Sequence, residues 1–309
     1  MLKKSDKIFI AGHNGLVGSA VLRKLKDYNY NNILTVEKSK LNLLDQPAVF
    51  KFLKKKKPKA VVICAAVVGG IKANNDFKAK FIYENLTMQN NLIHGSYLSK
   101  VKNLIFLGSS CVYPRNCKQP IKEEYLLSGI LEKTNEPYAI AKIAGVKLCE
   151  AYNYQFKTNY KCLMPTNTYG PGDNYNLNTS HFLPAIIRKI HEAKLKGKKK
   201  ITLWGTGRAK RELIYVNDLA NAIIYFLGKK TKHYLINIGT GKEMSIKQHA
   251  LKVSKIIKSN IKIEFDKKGL DGTPRKILDV SLAKKYGWKS SYTYEEGIVE
   301  TYSNFKKFY

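Results

Sequence analysis

A run of seven residues, Gly12-His13-Asn14-Gly15-Leu16-Val17-Gly18, constrains this 309-residue chain more than any other feature of it. It follows a short apolar run over 7–11 and opens an amphipathic stretch over 17–26, so it reads as a G-x-x-G-x-x-G turn between strand and helix. Glycine at the three positions permits a tight turn and close approach of backbone to ligand. The helix that follows offers unpaired N–H groups and the positive end of its dipole to an anion. All seven residues are therefore candidate contacts to the pyrophosphate of a dinucleotide. Three glycines alone would only punctuate a turn; the strand–turn–helix setting points to the cofactor.

The rest of the first half keeps the same rhythm. Short apolar runs over 32–36, 60–64, 103–107 and 160–164 alternate with helical patterns over 46–56, 77–99 and 137–156, the signature of βαβ units and a parallel sheet. Pro137 stands where a first-turn proline is tolerated, and the lysines at 54–57 before Pro58 read as a helix end. Past residue 165 the pattern changes. Residues 169–180 are rich in Gly, Pro, Asn and Thr and read as a long loop, followed by a helix over 182–194, a basic turn over 194–200 and short strands. The segments 212–227 and 234–239 read as returning to the main sheet, and the remainder, through a turn at 269–274, as a smaller lobe. The expected fold is α/β: a Rossmann-type doubly wound parallel sheet with a smaller α+β C-terminal substrate lobe. Its expected dinucleotide-binding domain is 1–168 and 212–240, and its substrate lobe 169–211 and 241–309.

Composition narrows the setting. With 44% hydrophobic residues the chain can bury a large core, yet no apolar stretch approaches the roughly 20 residues of a membrane span. The first strand begins within a few residues of Met1, which leaves no room for a signal peptide, so a cytoplasmic protein without membrane association is expected. Five scattered cysteines without a C-x-x-C pair argue against a disulfide framework and a metal site. The formal charge of +32 comes almost wholly from lysine, with arginine only at Arg23, Arg115, Arg188, Arg208, Arg211 and Arg275. No basic stripe interleaved with aromatic residues offers a stacking platform, so nucleic acid is not an expected partner. The charge reads as a solvated surface that also attracts a polyanionic substrate.

A reactive centre stands out downstream. Tyr138 and Lys142 lie four residues apart, hence on one helix face, where the ammonium is expected to lower the pKa of the phenol and to hold the cofactor ribose. Ser109 falls at the end of the preceding strand, where a hydroxyl can orient a carbonyl undergoing reduction. At the end of the second strand, Glu37 suits the ribose 2′-hydroxyl of NAD(H), whereas Lys38 and Lys40 suit the 2′-phosphate of NADP(H).

The runs 107–114 (LGSSCVYP), 135–142 (NEPYAIAK), 164–171 (MPTNTYGP), 65–75 (AAVVGGIKANN), 179–184 (TSHFLP) and 271–280 (DGTPRKILDV) resemble the GDP-L-fucose synthases, an extended short-chain dehydrogenase/reductase family. The resemblance covers essentially the whole chain. It implies a homodimer that inverts C3 and C5 of a GDP-4-keto-6-deoxyhexose and then reduces C4 with NADPH. It assigns Cys111 and His181 as the base and acid of the inversion, beside Ser109, Tyr138 and Lys142. Cofactor contacts are implied for Lys38, for Leu107, Gly108, Ser109 and Ser110, for Pro165, Thr166, Asn167 and Thr168, and for His181. Asn167, Lys189, Trp204, Arg211 and Asp271 are implied at the GDP-sugar. The chain departs from the family at Asn14, where an arginine is frequent, at Lys189, commonly arginine, and over 36–38, which lacks the usual 2′-phosphate arginines. NADP(H) is the favoured cofactor and NAD(H) the alternative. A C4-reductase of a related GDP-4-keto-heptose in surface-polysaccharide synthesis is the second reading. A non-catalytic binding protein of the same fold would have little need to keep Ser109, Tyr138 and Lys142 together.

Overall fold

The computed structural model describes residues 2–266 and 273–309. In chain order the first half forms β1 (Ile8–Ala11), α1 (Leu16–Asp27), β2 (Ile33–Leu34), α2 (Gln46–Lys56), β3 (Ala60–Ile63), α3 (Ile71–Asp76), α4 (Lys78–Leu98), β4 (Asn103–Leu107), α5 (Glu136–Phe156) and β5 (Asn159–Pro165). The second half adds β6 (Asn167–Tyr169), α6 (Phe182–Leu195), β7 (Lys200–Trp204), β8 (Lys210–Tyr215), α7 (Val216–Phe226) and β9 (Leu235–Ile238). It ends with β10 (Glu243–Ser245), α8 (Ile246–Ile256), β11 (Lys262–Asp266), β12 (Arg275–Lys276), α9 (Ser281–Lys285) and α10 (Tyr294–Phe305).

The main sheet runs β2-β1-β3-β4-β5-β9, with every pairing parallel. Its strands are mostly apolar because both faces are covered, although Lys161 of β5 and Asn237 of β9 are buried polar residues. Alternate residues feed opposite layers: Ile8, Ile10, Val62 and Ile105 enter one core, and Phe9, Val61, Ile63 and Phe106 the other. Strand order reverses at β1, so a crevice opens beyond the carboxyl ends of β1 and β3, where α/β sheets bind ligands. Local signals set the helix ends. Asp45 caps α2 through Ala48 N at 3.0 Å, three lysines complement the negative end of its dipole, and Lys57 leaves it left-handed.

The structure corrects one expectation of topology. Of 212–227, only the helical half joins the main layer: Tyr28 of α1 donates to Asn221 of α7 at 2.9 Å. The strand half, β8, pairs instead with β6, β10 and β12 in a second sheet. The cause is Glu212, fully buried, whose carboxylate accepts from Thr240 N at 2.6 Å, Gly241 N at 2.7 Å and Leu278 N at 2.8 Å. The expected strand over 32–36 shrinks to Ile33–Leu34, and 65–75 contains α3, which the sequence pattern did not reveal. The turn expected at 269–274 lies mostly outside the described residues. Among the described residues no helix is long and apolar enough to cross a membrane, and no cluster of His, Cys, Asp or Glu could hold a metal ion.

Candidate active site

The glycine turn has the geometry a pyrophosphate needs. Gly12 adopts a φ of +87°, and a Cβ there would stand 2.6 Å from the backbone nitrogen of Ala65 on the neighbouring strand connection. A Cβ on Gly18 would run into the carbonyl of Gly12, so the first turn of α1 is pressed against the loop. Gly15 caps α1 without a side chain, and no acidic residue occupies the first turn. His13 is buried beneath this turn, whereas Asn14 lies at its exposed edge. The uncapped amides around Leu16 and Val17 could therefore receive an anion, with no acidic side chain in the helix's own first turn. Replacing Gly18 by alanine is expected to cost about 1–3 kcal/mol of stability through overpacking. Thermal melting and dinucleotide titration would both register the change.

Beyond β2 stand the three residues that the sequence offered for the cofactor ribose. The Glu37 carboxylate turns back onto the glycine turn, 3.1 Å from His13 Nε2 and accepting from Asn14 Nδ2 at 2.8 Å. Lys38 and Lys40 stay exposed. Thus the carboxylate is engaged and the two ammonium groups stand outward.

The remaining candidate cofactor residues leave adjacent strand ends. Leu107 ends β4 and Gly108, Ser109 and Ser110 follow it, and Pro165, Thr166, Asn167 and Thr168 end β5 and begin β6. Gly108 N donates to Leu163 O at 3.0 Å, tying the two exits together. Thr166 and Thr168 spend their hydroxyls on Glu212 O and Thr166 O, at 3.0 and 3.2 Å.

Tyr138 and Lys142 sit one turn apart on α5, facing the β4 exit. Lys142 is buried, and its ammonium donates to Leu107 O at 2.8 Å while lying 5.8 Å from the Tyr138 ring centre. Burial pushes its pKa down to about 8. The expected lowering of Tyr138 is not met. Burial pushes the phenol up, the neighbouring Cys111 adds to this, and a hydrogen bond with Ser109 opposes it. Phe81 packs edge-on against the Tyr138 ring at 6.2 Å and fixes its plane.

Cys111 begins where β4 has ended, in a single 3₁₀ turn capped by Ser109, whose hydroxyl accepts from Cys111 N at 3.2 Å. Burial alone would keep this thiol protonated. The charge of Lys276 and its hydrogen bond to the sulfur, with the nearby Ser109 and Arg211, together outweigh burial and bring the pKa below the ordinary thiol value. The contrast with the other cysteines is clear: burial pushes Cys64 up to about 12 and also raises Cys117 and Cys162. His181 caps α6 beside the loop over 176–180. The residue is exposed; crowding by the surrounding protein first, and Lys276 second, lower its pKa. The glycine pair Gly69-Gly70 lets this loop approach closely. Gly70 N donates to Thr179 O at 2.9 Å, and a Cβ on Gly70 would stand 2.6 Å from Ser180 O.

Lys276 is the residue that sequence reasoning missed. It lies within the run 271–280, yet nothing in the spacing connects it to a cysteine 165 positions earlier. Of the candidate substrate residues, Arg211 pairs in register with Lys276, and Asn167 begins the adjoining β6. Lys189 stands apart with Trp204: its ammonium is 5.7 Å from the indole and donates to Thr202 O at 3.2 Å. Trp204 is 68% exposed, leaving its ring free to stack on a planar ligand. Asp271 lies outside the described residues.

The profile of the NAD dependent epimerase/dehydratase family matches residues 8–239. A GDP-L-fucose synthase from Sinorhizobium fredii is 46% identical, the match spanning 98% of this chain and 96% of that protein. Among solved structures, a GDP-6-OMe-4-keto-L-xylo-heptose reductase from C. jejuni superposes with a TM-score of 0.94 at 37% identity, covering 99% of each chain. The GDP-mannoheptose C4 reductase MlghC from Campylobacter jejuni, with NADP bound, gives 0.91 at 39% identity over 99% of this chain and 100% of its own.

Proposed function

This chain belongs to the NAD dependent epimerase/dehydratase family, and from that premise we propose that it is a nicotinamide-dependent epimerase/reductase of a GDP-4-keto-6-deoxyhexose, yielding GDP-L-fucose or a close analogue. The observation that carries this reading is the meeting of three chain segments at the β4 exit: Ser109 Oγ accepts from Cys111 N at 3.2 Å, Cys111 Sγ accepts from the Lys276 ammonium at 3.2 Å, and Lys142, one turn from Tyr138, donates to Leu107 O at 2.8 Å. One carbonyl oxygen held at Ser109 is then next to a phenol that can protonate it and a thiolate that can take a proton from the carbon beside it.

In the inversion, the Cys111 thiolate takes the proton from carbon. The C–H electron pair moves into an enolate whose charge rests on O4, and Ser109 and Tyr138 donate hydrogen bonds to that oxygen. His181 returns a proton to carbon from its other face; Cys111 then releases its proton to solvent and His181 takes one up, and the step repeats at the second position. The bound dinucleotide supplies the hydride for C4. Tyr138 gives its proton to the developing alkoxide, and the Lys142 ammonium, steadied by Leu107 O, holds the ribose and favours the phenolate that remains.

The residues present fit a dinucleotide, as the Gly12 and Gly18 contacts and the open start of α1 argue. NADP(H) is the proposed form: Lys38 and Lys40 stand exposed at the ribose edge, and Glu37 is drawn away toward His13 and Asn14. Changing Lys38 and Lys40 together to alanine should raise KM for NADPH by about tenfold, roughly 1.4 kcal/mol, with little change for NADH. Steady-state kinetics with each coenzyme checks this. The nucleotide would lie between Arg211 and the Lys189–Trp204 pair, in a lobe made of 169–211 and 241–309.

A second reading, C4 reduction of a GDP-4-keto-heptose without inversion, draws on the two Campylobacter reductases. Purified protein given GDP-4-keto-6-deoxymannose and NADPH in D₂O separates the two. Deuterium at C3 and C5 of a reduced product supports the epimerase/reductase. Reduction without deuterium would transfer the assignment to a simple reductase, and turnover of the heptose alone would overturn the hexose.

A further inference from the structure

Cys111 and Lys276 belong to different parts of the chain and meet only through the fold. The Lys276 ammonium donates to Cys111 Sγ at 3.2 Å. Its strand is held from several sides. Lys276 pairs with Arg211 of β8, Ile277 N donates to Gln119 Oε1 at 2.9 Å, and Ile121 N donates to Ile277 O at 2.8 Å. One residue further, Leu278 N is fixed on the buried carboxylate of Glu212 at 2.8 Å. A flexible lysine is thereby anchored at its backbone, so its charge stays at the sulfur instead of sweeping through solvent.

We propose that Lys276 is the positioning residue of Cys111, its ammonium delivered to the sulfur by the pairing of β12 with β8 and favouring the thiolate that serves as base of the inversion. The inference rests on the epimerase reading of the same site and deepens it.

The groups facing Cys111 are Ser109 from its own turn, Tyr138 from α5, Arg211 from β8 and Lys276 from β12. Of the two cations, Lys276 acts more strongly on the thiol, and its ammonium donates directly to the sulfur at 3.2 Å. The same ammonium lowers His181. Its removal must therefore raise the proton affinity of both groups, because each loses a positive neighbour. A lowered imidazole pKa also makes the protonated ring a stronger acid toward the enolate. One charge thus enlarges the thiolate fraction of the base and makes the imidazolium the stronger acid.

The test uses the whole protein with Lys276→Met, which keeps the aliphatic stem, and Lys276→Arg, which keeps the charge. Thiolate formation at Cys111 is followed from pH 5 to 10 by the rate of iodoacetamide alkylation, located by peptide mass spectrometry, with Cys111→Ser as the blank. In Lys276→Met the midpoint is expected to rise by about one pH unit or more, tenfold in proton affinity, and to return toward the original value in Lys276→Arg. Where sugar exchange is measurable, both limbs of its pH profile shift upward in Lys276→Met. An unchanged alkylation midpoint in a folded Lys276→Met protein overturns the proposal. A shifted midpoint in a protein that exchanges no sugar hydrogen leaves Lys276 in its role and overturns the substrate reading instead.

Discussion

Replacing Tyr138 by phenylalanine is expected to slow reduction at C4 by about 10²–10⁴-fold, the range that a positioned general acid supplies, while the protein melts at essentially its original temperature. The ring stays because Phe81 packs against it edge-on, and that contact does not involve the hydroxyl. What disappears is the proton donor for the alkoxide and one of the donors to O4. The direction of the Tyr138 shift matters here. With burial raising the phenol, the proton is present across the physiological range, ready to be given away during reduction. Running the reaction toward oxidation would need the phenolate, so that direction should require higher pH. Single-turnover NADPH oxidation measures the first effect. Deuterium exchange at C3 and C5 should continue in Tyr138→Phe, more slowly, because Cys111 and His181 remain. A variant that reduces its substrate at full rate would remove Tyr138 from the mechanism.

Much of this site is legible without coordinates because its chemistry is local in sequence. The glycine turn sits between its own strand and helix, Tyr138 and Lys142 share one helix face, and Ser109 and Cys111 flank one strand end. Parallel strands also declare themselves, since burial on both faces writes them as unbroken apolar runs such as 60–63. What stays hidden is set by tertiary contacts. The Glu212 carboxylate draws β8 out of the main layer by collecting three backbone N–H groups from 240–278, a choice no periodicity records. Glu37 could have reached a ribose, and only folding reveals that His13 and Asn14 engage it first. The direction of the Tyr138 shift was misread for a related reason. A lysine four residues away faces the same side, yet its ammonium is committed to Leu107 O and burial dominates the phenol. Lys276 is the extreme case, a single lysine among dozens, distinguished only by where β12 lands.

Substitution of Cys111 by serine is expected to separate the two halves of the reaction. Exchange of the C3 and C5 hydrogens should fall by about 10²–10⁴-fold, because a serine hydroxyl in the same place has no accessible anion to act as base. Reduction of a sugar already inverted at both carbons should still proceed, since Tyr138, Lys142 and the hydride donor are intact. The pH dependence gives a second handle. A thiol held below its ordinary pKa makes wild-type exchange rise at lower pH than a free cysteine would allow, and the rise follows the thiolate fraction. His181, whose proton affinity is lowered by the protein crowded around it and then by Lys276, sets the other limb. Since one group gains competence and the other loses it as pH rises, a bell-shaped profile displaced toward acid is the expected result for the wild-type protein. Proton NMR of the sugar in D₂O reads both carbons directly. If Cys111→Ser exchanged them at the wild-type rate, the base would have to be sought elsewhere in the cleft, and the hydrogen bond from Lys276 to sulfur would have no catalytic meaning.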